Sequence, residues 1–203
     1  MIAAAGEFDA MPSPAPKRFT LRSALRRFRG NRRGSAVVEF ALVAPMFFAL
    51  LFAIIETALM FFASQVLETI TQNSARVILT GQAQAQGGSV AACQTTQGVV
   101  SACDQNTFKA YVCTQIPALF DCNNLYVDVV STSSFGSLSL TNYGNSCNFN
   151  PTGMQYNAGT TSQVVVVRLF YQWPLFVTGL GYNIGCNNKR LLVATAAFKN
   201  EPF

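Results

Sequence analysis

Arg32, Arg33, Gly34 and Ser35, then Ala36-Val37-Val38 and the carboxylate of Glu39, stand at the mouth of a long apolar run. An acid so close to hydrocarbon costs free energy, roughly 2.5–3.5 kcal/mol at a helix centre and less near the interface. It calls for a partner. Hydrolysis of the peptide bond after Gly34 would create one. The new α-amine of Ser35 would lie four residues before Glu39, the spacing at which helical side chains meet. The chemistry written here is that of a substrate for proteolysis.

Little in the rest of the chain reads as a catalyst. The sequence has no histidine, which removes the usual general base, the common zinc ligand and every Ser-His or Cys-His pair. Beyond residue 80 the acids are Asp104, Asp121, Asp128 and Glu201, and no nucleophile motif accompanies them. Asp128 falls in an expected strand and is read as pointing to solvent. No enzyme activity, metal or cofactor is expected.

The elements that must position the Gly34–Glu39 segment come next. From Phe40 to Ile55 no residue has a polar side chain, and only Glu39 and Glu56 carry charge between Ser35 and Ala63. A membrane span needs about 20 mostly apolar residues, and residues 35–63 supply them. The run exceeds the h-region of a cleaved secretory signal, about 7–15 residues. Pro45, inside the run, is tolerated in a membrane helix and is a candidate kink. Glu56, near the far end, either reaches the outer interface or packs against a neighbouring helix. Small residues such as Ala41, Ala44, Ala49 and Ala53 could serve helix packing or simply fill the span. Residues 64–80 continue as an amphipathic extension. Val66, Ile70, Val77 and Ile78 recur at helical spacing, and Gly81 ends the pattern.

Residues 1–34 hold eight of the fourteen bases against Glu7 and Asp9. Residues 81–203 are nearly neutral, with five bases and four acids. Basic residues ahead of an apolar run stay cytoplasmic. The net charge of +5 is therefore a topology signal, and nucleic acid is not an expected partner. Residues 1–34 read as a basic cytoplasmic leader and residues 81–203 as a domain on the periplasmic or extracellular side. All six cysteines, Cys93, Cys103, Cys113, Cys122, Cys147 and Cys186, lie in that domain. An even set on the exported side reads as disulfides. Cys113 with Cys122 is the first choice, since they are close in sequence and flank the end of a short expected helix. Cys93 with Cys103 and Cys147 with Cys186 complete one set.

Within the domain, residues 81–106 read as a stapled loop. Asp104 reads as the N-cap of a helix over about 107–119. Strands are expected over Leu125–Ser133, Gln163–Trp173 and Arg190–Lys199, with a long Asn- and Gly-rich loop over 136–162. The whole is α+β: a long N-terminal transmembrane helix extends into a small, disulfide-stapled, pilin-like domain with an antiparallel sheet.

The stretch RRGSAVVEFALVAPMFFALLFAIIE and the amphipathic segment after it resemble the TadE-like family, pseudopilins of the bacterial tight adherence (Flp) pilus system, a type IV pilus system. The ending resembles that family too: a strand pair around an aromatic and proline loop, then Ala194 to Phe203. Residues 81–160 carry little of the resemblance. TadG-like proteins share the anchor but usually carry a larger domain. The resemblance implies cleavage between Gly34 and Ser35 by a prepilin peptidase, an aspartic membrane protease. A glycine there lets the scissile carbonyl approach catalytic groups closely. Glu39 would then be the fifth residue of the mature chain, attracting the α-amine of a subunit already in the filament and setting register. Phe40 stands where the major Flp pilins usually have Tyr, which fits the minor class. The implied partners are the prepilin peptidase, the major Flp pilin and sibling pseudopilins, the inner-membrane pilus platform and the membrane itself. The implied place is the inner membrane, single-pass, with a cytoplasmic N-terminus and a periplasmic domain that could enter the pilus.

Competing expectations are an uncleaved inner-membrane assembly factor and an adhesin tip. The latter would bind a surface or sugar through the loop of Trp173, Phe176 and Tyr182, although those aromatics read first as core.

Overall fold

The computed structural model describes residues 34–84, 103–175 and 186–203. The chain divides into two units, Met1–Phe48 and Ala49–Phe203. The helix α1 spans Ser35–Leu79, α2 spans Gln105–Gln115, and the strands are β1 (Leu125–Thr132), β2 (Val164–Pro174) and β3 (Lys189–Lys199). Single 3₁₀ turns sit at Cys122–Asn124 and Phe135–Ser137. The architecture is α+β, with a three-stranded antiparallel sheet in the order β1-β2-β3.

α1 stops where its sequence stops being helical. Gly81 adopts φ 77°, a left-handed conformation that costs little without a Cβ. Its N–H donates to the Ile78 carbonyl at 3.0 Å, and Ala83 N–H donates to Val77 at 3.1 Å. A Cβ at position 81 would run into the Phe203 ring. The chain end also supplies Glu201 N–H to the Leu79 carbonyl at 3.0 Å, satisfying an acceptor that a helix C-terminus otherwise leaves open.

α2 begins on a capping box. Asp104 Oδ1 accepts from Thr107 N–H at 2.7 Å, and Asp104 N–H donates to Thr107 Oγ1 at 2.8 Å. The helix is shorter than the 107–119 expected from sequence: it starts at Gln105 and ends at Gln115. Pro117 is the reason. The residue before a proline is pushed out of the helical region, and Ile116 sits at φ −77°, ψ 134°.

The sheet register sorts the strand residues onto two faces. Leu125, Val127 and Val129 of β1 pair with Tyr171, Leu169 and Val167 of β2, which pair in turn with Leu192, Ala194 and Ala196 of β3. These join Leu67, Ile70 and Ile78 of α1 and Phe108 and Val112 of α2 in one hydrophobic core. On the outer half of α1 the buried positions are Ala63, Leu67, Ile70, Thr71, Ser74, Ala75, Val77 and Ile78. That is one face of a 3.6-residue period. Two of them are polar. Thr71 Oγ1 donates back to the Leu67 carbonyl at 2.7 Å, and Ser74 Oγ lies 3.5 Å from Gln115 Nε2.

The second sheet face is also covered over β1 and β2, which corrects the expectation for Asp128. Its side chain is fully buried. It faces Arg168 across the β1–β2 register, with Arg168 Nη2 at 2.6 Å and Nε at 3.1 Å from Asp128 Oδ2. Asp128 Oδ1 accepts from Tyr143 OH at 3.0 Å and from Gln155 N–H at 3.1 Å. Arg168 Nη1 donates to the Thr141 carbonyl at 2.8 Å, and its guanidinium stacks over Tyr143 and Phe170. The cover comes from the Asn-rich segment. Asn142, Asn145, Asn150 and Asn157 each accept, through Oδ1, the backbone N–H two residues on. Such Asx turns give a backbone without strands its own geometry. They let Tyr143 and Phe149 pack against Phe170 and Tyr126.

Candidate functional site

The candidate site begins with the first unit. Gly34 is half-buried, and α1 starts at the next residue. Neither packing nor backbone geometry within the described chain demands glycine here: a Cβ built on Gly34 meets nothing within 4 Å. Glu39 is exposed and lies one helical turn after Ser35. Around it the surface is apolar: Val37, Val38, Phe40, Leu42, Val43 and Met46 are all more than half exposed. Pro45 is exposed too and lies inside α1 without ending it.

In the second unit, α1 continues with Leu50, Phe52, Ile54, Phe61 and Phe62 exposed. Glu56 is half-buried, and Thr57 Oγ1 donates to the Ala53 carbonyl at 2.8 Å. Hydrocarbon side chains pointing outward on all sides are at home in lipid and not in water. The helix is long and apolar enough to cross a membrane.

Of the cysteines, Cys113 joins Cys122, with Cα atoms 5.9 Å apart, and Cys147 joins Cys186, with Cα atoms 4.6 Å apart. Cys103 is disulfide-bonded as well. Cys93 lies outside the described residues. The first bond ties the end of α2 to the turn that opens β1. The second ties the Asn-rich segment to the turn before β3. Trp173 is 3% exposed and packs edge-on against Phe120, so it belongs to the core. Phe176 and Tyr182 lie outside the described residues.

Electrostatic effects in the domain are structural in character. Hydrogen bonds from Thr107, its backbone N–H first, hold the Asp104 carboxyl below its usual range. Burial, then the bond to Asp128, raises Tyr143. Burial raises Tyr171, whose hydroxyl accepts Asp121 N–H at 2.9 Å, and raises Tyr156 far more. The residue missed from sequence is Arg168. It is a lone base in the strand VVVVRLFYQW, and Asp128 is a lone acid in LYVDVVST. One charge of each sign in two apolar strands is the signature of a cross-strand pair, because an unpaired charge could not be buried there.

These features define a class: an α+β protein with, among the described residues, one helix fit to cross a membrane and a disulfide-braced domain built on that helix's outer half. Residues 34–76 match the family model described as TadE-like protein. The TadE-like resemblance is therefore shown over that stretch, from Gly34 through most of the buried stripe of α1. It suggests involvement in the Tad pilus system. No curated protein and no solved structure matches the chain.

Proposed function

We propose that this protein is a minor pseudopilin of the tight adherence pilus, processed between Gly34 and Ser35 and acting in pilus assembly and surface colonisation. The observation that carries the reading is the segment matched to the TadE-like family. A glycine that the described chain does not itself need precedes a helix whose apolar side chains face outward, with Glu39 one turn in. A prepilin peptidase gives a reason for the glycine. The freed amine at position 35 gives Glu39 a counter-charge on a neighbouring subunit, since opposite charges attract strongly at low dielectric. The role is structural rather than catalytic, with the domain on the periplasmic side of the inner membrane. The partners in this reading are the peptidase, the major pilin with sibling pseudopilins, and the membrane platform.

Glu39→Ala tests the assembly role. Processing persists in this variant, because the cut precedes Glu39, while piliation falls. Normal piliation would remove Glu39 from the mechanism. Gly34→Leu tests the cut: the uncleaved chain accumulates in the membrane.

A further inference from the structure

We infer that the groove between α1 and the start of β3 seats one membrane phospholipid, with an acyl chain on the α1 wall and the phosphodiester at Arg190. The groove holds about 280 Å³ and is formed by Met60, Phe61 and Ser64 of α1 with Arg190 to Val193 of β3. All of it belongs to the second unit. Its lining changes character on the way out of the apolar stretch: Met60 and Phe61 are hydrocarbon, whereas Ser64 and Arg190 are polar.

The level of the groove in a membrane follows from chain direction. β3 begins beside residues 60–64, and just past its end Glu201 N–H reaches the Leu79 carbonyl. The strand thus climbs away from the groove along the outer half of α1, and the groove is the domain's end nearest the apolar stretch. Residues 40–60 of a helix rise about 30 Å, the thickness of bilayer hydrocarbon. Met60 and Phe61 then stand at the boundary, with Ser64 and Arg190 among the headgroups. The inference rests on α1 crossing a membrane and not on cleavage at Gly34.

Continuity and charge choose the occupant. Phe61 and Phe62 are exposed and prolong the outward hydrocarbon of Leu50, Phe52 and Ile54 as far as the groove. An acyl chain lying on α1 enters without crossing water, and any other occupant must displace lipid that the span itself brings. Bases at the headgroup level attract lipid phosphate, and Lys189, which is exposed, adjoins Arg190. A guanidinium carries five N–H donors in a fork that matches phosphate oxygens, enough for a phosphate beside contacts within the fold. No acid lines the groove. Glu56 lies one helical turn before Met60, toward the hydrocarbon, and Glu68 one turn after Ser64, where its Oε1 is 3.5 Å from Gln72 Nε2.

The test uses the full-length, disulfide-intact chain in a detergent without phosphate groups. Thermal unfolding is followed against dioctanoyl phosphatidylglycerol, dioctanoylglycerol and glycerol 3-phosphate: the whole lipid, its chains alone and its phosphate alone. Only the whole lipid raises the midpoint saturably, since a ligand stabilises the state that binds it. Arg190→Gln weakens the apparent affinity about tenfold, the worth of one hydrogen bond to a charged group, and Arg190→Lys weakens it less. Val193→Asp, at an exposed side chain, leaves the midpoint without lipid unchanged but sets a carboxylate in the groove and weakens binding as much; Val193→Thr does not. Equal stabilisation by glycerol 3-phosphate would mean a site for free phosphate, and equal stabilisation by dioctanoylglycerol a cleft for hydrocarbon alone. Either overturns the proposal, as does undiminished lipid binding in Val193→Asp. Flotation with phosphatidylglycerol vesicles separates the two readings. A chain that floats but shows no preference for the whole lipid refutes the groove alone, whereas a chain that does not float refutes the span and the groove with it.

Discussion

α1 is one helix with two kinds of surface. Between Val37 and Phe62 most of its large apolar side chains are exposed, with Leu51 and Met60 half-buried, whereas between Ala63 and Ile78 they gather on one buried stripe. The first stretch needs nothing from the rest of the chain except length and hydrophobicity, because lipid accepts an apolar side chain on any face. The second needs a sheet at the right register to receive it. The same contrast holds for charge. Glu39 and Glu56 interrupt the apolar stretch, while the domain takes its Asp128 and Arg168 inward as a pair.

The largest effect is expected from that pair. Asp128→Ala leaves Arg168 buried without its counter-charge and should cost about 3–5 kcal/mol. Thermal unfolding followed by the fluorescence of Trp173, the chain's one tryptophan, reads it. The double variant Asp128→Leu with Arg168→Leu should recover most of the loss, since apolar replacement of a buried pair is often neutral. A double variant as unstable as the single would show that the segment over the second face depends on the ion pair itself.

Leu67→Ala sharpens the comparison along the helix. It should destabilise the domain by about 2–5 kcal/mol through a core cavity, while Leu42→Ala leaves the same melting curve unchanged. Equal effects would mean that the two stretches do not differ as described. Opening the Cys113–Cys122 bond by substituting serine at both positions should cost about 2–4 kcal/mol and loosen the region around α2, with α1 left helical by circular dichroism. Proteolysis patterns unchanged by the substitution would contradict this.

The smallest effect concerns the α2 cap. Asp104→Ala should lower stability by about 1 kcal/mol. The Asp104 carboxyl is lowered in the fold, chiefly by the Thr107 N–H. Its contribution is therefore complete above the unfolded carboxyl value near pH 4 and is lost as pH falls through the lower folded value. The difference between wild type and variant should vanish in strong acid. A difference that persists there would assign the effect to something other than the carboxylate.

Much of this was legible in the sequence because it depends on local pattern. The apolar run, the end of α1 at Gly81 and the three strands follow from periodicity and turn residues, and the Cys113–Cys122 bond follows from closeness in the chain. What was not legible depends on contacts far apart in sequence. From sequence Asp128 reads as solvent-facing, because alternation says which face a residue takes but not whether that face is covered. The cover, Tyr143 and Phe149 on a frame of Asx turns, looks from sequence like any polar loop. α2 ends a few residues before periodicity alone would end it, because Pro117 holds Ile116 out of the helical region. The reach of the chain end back to Leu79 and Gly81 has no local signal at all. For the candidate site, Gly34, Ser35 and Glu39 were readable by spacing alone, since their proposed chemistry involves other molecules rather than the fold of this one.

The most direct test of the account is the N-terminus of the protein isolated from its native membrane, in cells with and without the prepilin peptidase. The account predicts a chain starting at Ser35 that appears only when the peptidase is present. A chain that keeps the residues before Gly34 in both strains would contradict it and make the protein a fixed assembly factor. A start near Ser64 would contradict the membrane anchor as well.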